Sequence, residues 1–195
     1  VSVSPDTGQV RLGVQVTNED ADTALEEANE TIDAVTAAIQ ELGIEEDDIT
    51  TGSFSIWPEY DYENDRQEVV GYRVNHIVSV KVRDIGLTGD VVSTGVDAGA
   101  NSVETVSFIV EDESEALDQA RERAFDNARE KAEKLAELSD GALGPVLNVS
   151  EQTHTPGPVE REVPEEAEDE DAGSVPFNPD DTIVSVDIQV SWELQ

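Results

Sequence analysis

Apolar residues recur along this chain with two different periods, which predict its first strand and its first helix. The segment QVRLGVQV alternates apolar and polar positions, as expected for a strand with one buried face. From about Asp20 to Leu42 the apolar residues are spaced by three and four positions, which predicts a helix with one apolar stripe. Gly43 follows directly and is expected to end this helix.

The next part of the chain predicts a hairpin whose second strand has two contrasting faces. SFSIWPEYDYE reads as a strand, and its Pro58 favours an edge position or a bulge. The polar residues NDRQ predict the turn into a strand over residues 69 to 84. In that strand His76 shares a face with Tyr72 and four valines. Its three basic residues share the opposite face, and these are Arg73, Lys81 and Arg83.

The second half of the chain predicts two helices and three strands. A short helix near residues 88 to 98 is followed by the strand SVETVSFIV. The longest helix runs from about Glu113 to Leu138 and has alanine at every fourth position, so we expect it to lie close to whatever it packs on. LGPVLNVSEQ and TIVSVDIQVSWELQ predict the last two strands.

Residues 154 to 181 lie between those last two strands and differ from the rest of the chain. They hold five of the eight prolines, and eight acids fall between Glu160 and Asp171. This composition predicts a long excursion or a disordered loop. We therefore expect residues 156 to 175 to be dispensable for folding.

The order of the predicted elements is β-α-β-β-α-β-α-β-β, and several strand pairs are adjacent along the chain. This order predicts an α+β fold, that is, a mostly antiparallel sheet with helices packed on it. A length of 195 residues suits one domain or two small ones. We expect a single domain over residues 1–195 that carries the acidic, proline-rich excursion at about 154–181.

Charge narrows the range of partners and of habitats. The net charge is −35, from 46 acids and 11 basic residues. A field of this sign repels nucleic acid and anionic membrane surfaces, so neither is expected as a partner. The acids are spread along the whole sequence, and lysine is scarcer than arginine. Such a surface is suited to molar salt, where the Debye length falls to about 3 Å, and we expect a halophilic source.

Residues that are missing exclude several kinds of chemistry. The chain has no cysteine, which excludes disulfides, thiolate metal sites and cysteine nucleophiles. It contains no run of 18 apolar residues, so no transmembrane segment is expected in it. Methionine is absent even at position 1. We expect the chain to begin after processing or truncation, which leaves room for a signal peptide or an anchor upstream.

A series of motifs along residues 3 to 151 resembles one known family. GYRVNHIVSVKVRD followed by VDAGANSVETVSF is similar to the SIMPL-domain family, also called YggE-like. SPDTGQVRLGV resembles the family's opening Pro-Asp and first long strand, and ELGIEEDDITTGSFSIWPEYDY resembles its helix end and its Pro-x-Tyr strand. EALDQARERAFDNAREKAEKLAE followed by LGPVLNVSE resembles its alanine-rich helix and next strand. Two features depart from the family: a strand before the Pro-Asp is absent, and the excursion is more acidic than expected.

The resemblance implies an extracytoplasmic or envelope-associated protein, often exported or lipid-anchored, in which self-association is known. It implies no established enzymatic reaction, and the family carries no catalytic constellation that could be transferred to residues of this chain. We therefore assign no catalytic, cofactor-binding or metal-binding residue, and we expect no cofactor.

The residues that could carry chemistry have simpler structural explanations. His76 lies on the apolar face of a strand, where we expect a core or rim histidine with a hydrogen-bond partner. His154 stands in a Pro-Gly loop with no second histidine nearby, which argues against a transition-metal site. The DTG at Asp6 resembles half of an aspartic-protease site, which needs two carboxylates. Because this motif occurs once and follows a proline, we expect it to form a turn into the first strand.

Two acidic runs could gather a hard cation. They are EEDD at 45 to 48 and DYENDRQE at 61 to 68. Neither has the loop spacing and central glycine of an EF-hand. We expect weak binding of Na⁺, K⁺ or Mg²⁺ by surface carboxylates and no defined calcium site.

Together these features favour a noncatalytic exported or cell-surface domain that acts through self-assembly or interaction. The first alternative is a hydrolase that uses a carboxylate pair, for which Asp6 is the best available candidate. The second is a module that binds small ligands or cations. Raised carboxyl pKa values in a pocket would favour the hydrolase, whereas a large self-complementary interface would favour assembly.

The charge predicts that folding depends on salt. At about 0.01 M salt the Debye length is near 30 Å, so each carboxylate repels many others. Neighbouring like charges cost on the order of 1 kcal/mol at 4 Å in water, and dozens of such pairs can exceed a net stability of roughly 5–15 kcal/mol. We expect the circular-dichroism spectrum to show loosening or melting in dilute buffer and recovery in molar KCl. Lowering the pH toward about 4 should partly restore the fold at low salt, because protonation removes the same repulsion. A spectrum that barely changes between about 0.02 M and 2 M salt would refute the halophilic assignment.

Overall fold

The computed structural model describes residues 1–61, 68–154, 159–161, 177 and 179–195. Its three helices are α1 (Ala21–Glu41), α2 (Thr88–Asp97) and α3 (Ser114–Leu138), and two short 3₁₀ helices cover Glu46–Asp48 and Ile85–Leu87. The described strands are β1 (Ser2–Val3), β2 (Thr7–Asn18), β3 (Ile49–Asp61), β4 (Glu68–Val82), β5 (Ser102–Ile109), β6 (Leu143–His154), β7 (Val159–Arg161), β8 (Thr182–Ile183) and β9 (Ser185–Leu194). The predicted turn NDRQ and most of the predicted excursion lie outside the described residues.

The architecture confirms the α+β prediction. All pairings between the described strands are antiparallel. Five strands form one sheet in the order β3-β4-β2-β5-β7, and two strand pairs, β1-β8 and β6-β9, form separate ladders. The short strand β1 precedes the Pro-Asp pair, so the expectation that no strand stands there was wrong. β3 lies at an edge of the five-stranded sheet and carries a register shift after Glu59, as Pro58 suggested.

One part of the predicted excursion is a strand, so the prediction of a loop there was wrong for residues 159–161. β7 pairs with β5 and places Val159 opposite Phe108. Phe177 also lies against the core, 5.7 Å from Phe108 between ring centroids. Composition missed these contacts because the short strand takes its hydrogen bonds from a distant partner strand and shows no periodicity of its own.

The described residues group into two compact units. The sheet unit comprises described residues of 6–109 and 159–179, and the helix–hairpin unit comprises those of 1–5, 110–158 and 180–195. The single domain expected over residues 1–195 stays a prediction.

The core of the sheet unit lies between the helices and one face of the sheet. Alternate residues of the central strand β2 point into it, and Val10 and Leu12 are fully buried. The predicted apolar stripe of α1 covers them, with Ile32, Val35 and Ile39 buried. Burial of each such side chain contributes roughly 1.5–3 kcal/mol, so these two faces hold the unit together.

Local signals define both ends of α1 as predicted. Asp20 caps the helix, since its carboxylate accepts a hydrogen bond from the Thr23 amide at 2.9 Å. This bond lowers the pKa of Asp20. Gly43 ends the helix region with a φ of +90°, which favours glycine.

The glycine inside α2 allows this helix to lie directly on β2. A Cβ atom added to Gly95 would stand 2.3 Å from Cδ1 of Leu12, which is fully buried. This close approach explains why a glycine stands inside the helix. Gly99, with a φ of +118°, lies just beyond the end of α2.

The helix–hairpin unit packs α3 against the β6-β9 pair. Ala116, Ala120 and Ala136 are buried, which confirms that small residues let this helix lie close to its neighbours. The Phe125 ring lies 6.3 Å from that of Trp192 between centroids.

Replacing Gly95 by alanine tests the contact between α2 and β2. Alanine favours helix formation by about 1 kcal/mol, but overpacking a filled core costs roughly 1–3 kcal/mol. We expect Gly95→Ala to lower the free energy of unfolding by roughly 1–2 kcal/mol, measured by urea denaturation in molar salt. Gly86→Ala, at an exposed position, is the matched control and should change stability little. A Gly95→Ala protein as stable as the wild type would contradict the packing described.

Candidate functional site

The edge strand β3 exposes large apolar side chains. Phe54 is 47% exposed and Trp57 is 54% exposed, and both belong to the strand that closes one side of the five-stranded sheet. Ile56 and Tyr60 of the same strand are exposed as well. Among the described residues β3 pairs only with β4, so its outer backbone groups form a row that another strand could pair with. These four residues are called the β3 edge surface.

Most of β3 also lacks the charges that protect edge strands. Residues 49–58 contain no Asp, Glu, Lys or Arg, although 29% of the whole chain is charged. Natural edges are usually protected by charged side chains or by Pro, because a flat apolar edge pairs with other strands. Here Pro58 comes only at the end of the charge-free run, and Glu59 and Asp61 follow it. The first ten residues of this edge strand are therefore without the usual protection by charge.

A second charge-free stretch coincides with another exposed strand. Residues 141–150 contain no charged side chain and include most of β6 in the helix–hairpin unit. Val146, Leu147 and Val149 are all exposed there. The two longest gaps in the charge of the described chain thus fall on strands with exposed apolar side chains.

A polar groove lies on the face of the sheet opposite the helices. It has a volume of about 460 Å³. The register places Arg11 of β2 opposite Ser79 of β4, and Gln9 opposite Lys81. Three of the 11 basic residues of the chain line this groove, namely Arg11, Lys81 and Arg83. The predicted separation of the valine face of β4 from its basic face is confirmed, with Val80 and Val82 buried in the core.

An ion pair between a buried carboxylate and a half-exposed arginine lines the groove. Asp48 is buried and accepts two hydrogen bonds from Arg83, from Nε at 2.8 Å and from Nη2 at 2.9 Å. The Arg83 guanidinium is the main reason why the pKa of Asp48 lies below its usual range, and the charge of Lys81 adds to the effect. Asp48 is the last residue of EEDD, so one carboxylate of that predicted cation-binding run is already committed to an arginine.

Arg11 is held much less tightly than Arg83. Its Nη2 lies 3.8 Å from a carboxylate oxygen of Glu104, which is beyond hydrogen-bond distance. Its Nε atom is buried and has no hydrogen-bond partner among the described residues. A buried donor without an acceptor costs roughly 1–3 kcal/mol and calls for an explanation.

His76 lies on the helix-facing side of β4, as predicted, but its hydrogen bonding differs from the prediction. Its ring meets that of Phe54 edge to face, with centroids 5.4 Å apart. Nδ1 is buried without a hydrogen-bond partner among the described residues, so the expected hydrogen bond is not found at this atom. Burial lowers the pKa of His76, and the nearby Asp33 offsets part of this effect. His76 is therefore a packed histidine at the rim of the core, and its lowered pKa favours the neutral ring.

The other candidate residues lie apart from the groove lining. His154 is the last residue of β6, not a loop residue as predicted, because its backbone pairs with Ser185. Asp6 is exposed, and its amide donates a hydrogen bond to the Ile109 carbonyl at 3.1 Å. This bond continues the pairing of β2 with β5 by one residue, and residues 4–6 form no turn, so the turn predicted there is not found.

The described ranges contain no group of three or more His, Cys, Asp or Glu side chains arranged to hold a metal ion. Weak cation binding by single carboxylates stays a prediction. In the same ranges no helix combines the length and the apolar character needed to cross a membrane.

The sequence analysis did not identify the groove, and it predicted the two exposed strands without noticing their lack of charge. The reasons differ. The groove depends on pairing between Arg11 and strands that lie far away along the chain, which periodicity does not reveal. The charge-free runs at 49–58 and 141–150 were visible in the sequence. A search for gaps in the acidic pattern would have found them.

Comparison with known proteins gives one family and several relatives. The profile of the SIMPL family, described as a protein of unknown function (DUF541), matches residues 1–192. The 26 kDa periplasmic immunogenic protein of Brucella melitensis is 30% identical over 164 residues, which cover 82% of this chain and 66% of that protein. The uncharacterized protein YggE of Escherichia coli K12 is 30% identical over 149 residues, which cover 76% of this chain and 61% of that protein. The chain therefore spans less than two thirds of the length of these relatives.

The Asp48–Arg83 pair predicts a stability that depends on pH. Because the folded-state pKa of Asp48 is lowered, the pair stabilises the fold above the unfolded-state pKa of about 3.9. This contribution is lost as the pH falls through the folded-state value. We expect Asp48→Asn to reduce the free energy of unfolding by roughly 1–3 kcal/mol at neutral pH. About half of the Arg83 side chain is exposed, so solvent screens the ion pair. We therefore expect a loss of stability in the lower part of that range.

Urea denaturation in molar salt at neutral pH and near pH 3 measures this dependence. The difference between Asp48→Asn and the wild type should shrink at the acidic pH. Asp47→Asn, at the exposed neighbouring residue, is the matched control and should have little effect at either pH. An equal loss of stability at both pH values would show that the ion pair is not the cause.

Proposed function

Since this chain belongs to the SIMPL family, we propose that it is a noncatalytic extracytoplasmic domain that acts by associating with further copies of itself. The observation that carries this proposal is the charge-free run at residues 49–58 of the edge strand β3, with its exposed Phe54 and Trp57. A surface of this kind is costly to leave in water and is suited to strand pairing.

A second copy of the chain is the partner that fits β3 best. Two identical edge strands can pair antiparallel about a two-fold axis, so that each copy offers the same surface to the other. Main-chain hydrogen bonds between the strands then supply affinity, and burial of the aromatic side chains adds roughly 25 cal/mol for each Å² removed from water. β6 gives each copy a further exposed strand for larger assemblies.

Charge supports contact at these strands in particular. Two copies with a net charge of −35 each repel one another over most of their surfaces. Residues 49–58 and 141–150 are the stretches where no such repulsion arises within the strand itself. The acidic surface thus limits association to the places where charge is missing, which is a form of specificity.

The extracytoplasmic location is proposed from two observations. The Brucella melitensis relative carries the word periplasmic in its name. The family resemblance also implies an exported or envelope-associated protein. Fractionation of cells that make the protein, with a cytoplasmic marker as control, tests this part of the proposal separately from association.

No observation favours the hydrolase alternative. Asp6 is exposed, and its amide donates a hydrogen bond to the Ile109 carbonyl of β5. The pKa values that are shifted among the described carboxylates are all lowered, whereas a general acid requires a raised one. The geometry therefore supports an interaction domain better than an enzyme.

Replacing Trp57 by lysine tests association through β3. A charge at the centre of an edge strand opposes pairing. We expect sedimentation of the wild type in molar salt to show particles larger than the 21.1 kDa chain. Trp57→Lys should weaken their association at least tenfold, which corresponds to about 1.4 kcal/mol.

Val96→Lys is the matched control, because Val96 is 47% exposed and lies on α2 of the same unit. It should associate as the wild type does. A wild-type protein that stays at 21.1 kDa at all concentrations would overturn the proposal. Equal association of wild type and Trp57→Lys would exclude β3 as the contact.

A further inference from the structure

The chain contains two Asn-x-Ser/Thr motifs, NET at residues 29 to 31 and NVS at residues 148 to 150. This motif is the acceptor for N-linked glycosylation in exported proteins. We propose that Asn148, and not Asn29, carries a glycan, and that this glycan covers β6. The inference rests on the extracytoplasmic location proposed for the protein, since exported proteins are the ones modified in this way, and it does not require self-association.

The motif on α1 is held in a conformation that separates its two functional side chains. Asn29 and Thr31 lie inside the helix, where residues two positions apart do not face each other. The Thr31 hydroxyl donates a hydrogen bond to the Glu27 carbonyl at 2.8 Å. Thr31 is also packed closely, since a Cβ atom added to Gly99 would stand 2.7 Å from its Cγ2. The hydroxyl that the motif needs is therefore already committed to the helix.

The motif on β6 has the opposite properties. In a strand, residues two positions apart point to the same side, so Asn148 and Ser150 share one face. Both are exposed, and neither side chain makes a hydrogen bond with a described residue. Val149 between them points to the other face, where it lines a groove together with Phe125 of α3. The acceptor amide and the hydroxyl are therefore together and open to solvent.

The backbone beside Asn148 is less regular than the rest of β6. The pairing with β9 shifts register between Leu143 and Val146, and again between Val146 and Asn148. Such shifts leave residues unpaired and interrupt the ladder. Among the described strands β6 pairs only with β9, so its second edge is open as well. A transferase can therefore reach this segment both from the edge and from the face that carries Asn148.

The attachment itself exchanges one bond for another. Nδ2 of Asn148 attacks C1 of the first sugar of an oligosaccharide that is carried on a lipid phosphate. A C–N bond forms, the bond between C1 and the phosphate oxygen breaks, and the lipid phosphate leaves with the electron pair. Nδ2 loses one proton, and nothing is oxidised or reduced.

A glycan at Asn148 would make the two charge-free runs different from each other. Residues 141–150 contain the motif, whereas residues 49–58 contain no asparagine. A glycan is bulky and solubilising. On β6 it would cover the neighbouring Leu147, which is 66% exposed, and would block strand pairing there. β3 would then be the contact between modified copies, and β6 would serve larger assemblies only in unmodified ones.

Peptide mass spectrometry of the protein purified from its natural host tests the assignment. Trypsin releases residues 135–161 as one peptide, in which Asn148 is the only asparagine. We expect the mass of this peptide to be raised by whole sugar residues, and the peptide that contains Asn29 to carry none. An unmodified peptide from extracytoplasmic protein would overturn the modification alone. Protein found only in the cytoplasm and unmodified would overturn the location and the modification together, and a glycan on Asn29 would overturn the structural distinction.

Variants of the two motifs identify the kind of modification. Ser150→Ala keeps Asn148 but removes the required hydroxyl, so it should abolish the mass increase. Ser150→Thr keeps the motif and should retain it. Thr31→Ala breaks the other motif and is the matched control, which should leave the mass of every other peptide unchanged. A mass increase that persists in Ser150→Ala would show that the modification is not N-linked glycosylation.

Sedimentation in molar salt tests what the glycan does to β6. Ser150→Ala lacks the glycan, so we expect it to associate about tenfold more strongly than the wild type. Thr31→Ala should associate as the wild type does. Equal association of the wild type and Ser150→Ala would overturn the covering of β6. The effect of Trp57→Lys is independent of this result, so failure at β6 can be distinguished from failure at β3.

Discussion

The two-residue period of β2 is the constraint on which the rest of the sheet unit depends. This strand lies at the centre of the sheet and pairs with β4 on one side and β5 on the other. Its residues alternate between the helix-packed core, reached by Val10 and Leu12, and the polar groove, reached by Gln9 and Arg11. A slip of one residue would bring Arg11 into the core and Leu12 to the polar face. Core and groove are therefore two consequences of a single register.

The distribution of charge also has two consequences, one for repulsion between copies and one for the places where contact is least costly. Carboxylates cover most of the chain, yet residues 49–58 and 141–150 carry none. A dense acidic surface keeps copies apart, and strands without charge are the places where contact costs least. In the proposed function, solubility and association would depend on different stretches of the same chain, and added salt would weaken the repulsion without removing the apolar contact.

Much of the fold could be predicted from local patterns, because its longest elements bury one continuous face. The stripe of α1, the cap at Asp20 and the alternation in β4 all depend on neighbours within a few residues. β7 could not be predicted, since its three residues are stabilised by β5, some fifty residues earlier in the chain. The role of Gly95 could not be predicted either, since it depends on contact with Leu12 of a different element.

In the candidate sites, too, some features follow from neighbouring residues and could be predicted, whereas others depend on residues far away along the chain. His76 could be placed on the correct face from alternation alone. Its contact with Phe54, and the lack of a partner for its Nδ1 among the described residues, depend on which strand lies beside it. The burial of Asp48 was hidden within an acidic run that reads as surface. Only the fold shows that one acid of four in that run meets an arginine while the others stay exposed.

The commitment of Asp48 to Arg83 shows how a strongly acidic chain keeps one carboxylate buried. Without Arg83 the buried charge of Asp48 would lose water and gain no partner, at a cost of roughly 1–3 kcal/mol or more. The attraction between the two side chains acts only at short range, because the field of the whole chain is negative. It therefore depends on the two direct hydrogen bonds that Arg83 donates and not on the summed charge around them. In strong salt the Debye length of about 3 Å screens the repulsive field, while hydrogen bonds to a buried carboxylate are little affected. The acidic surface and the Asp48–Arg83 pair are compatible for this reason.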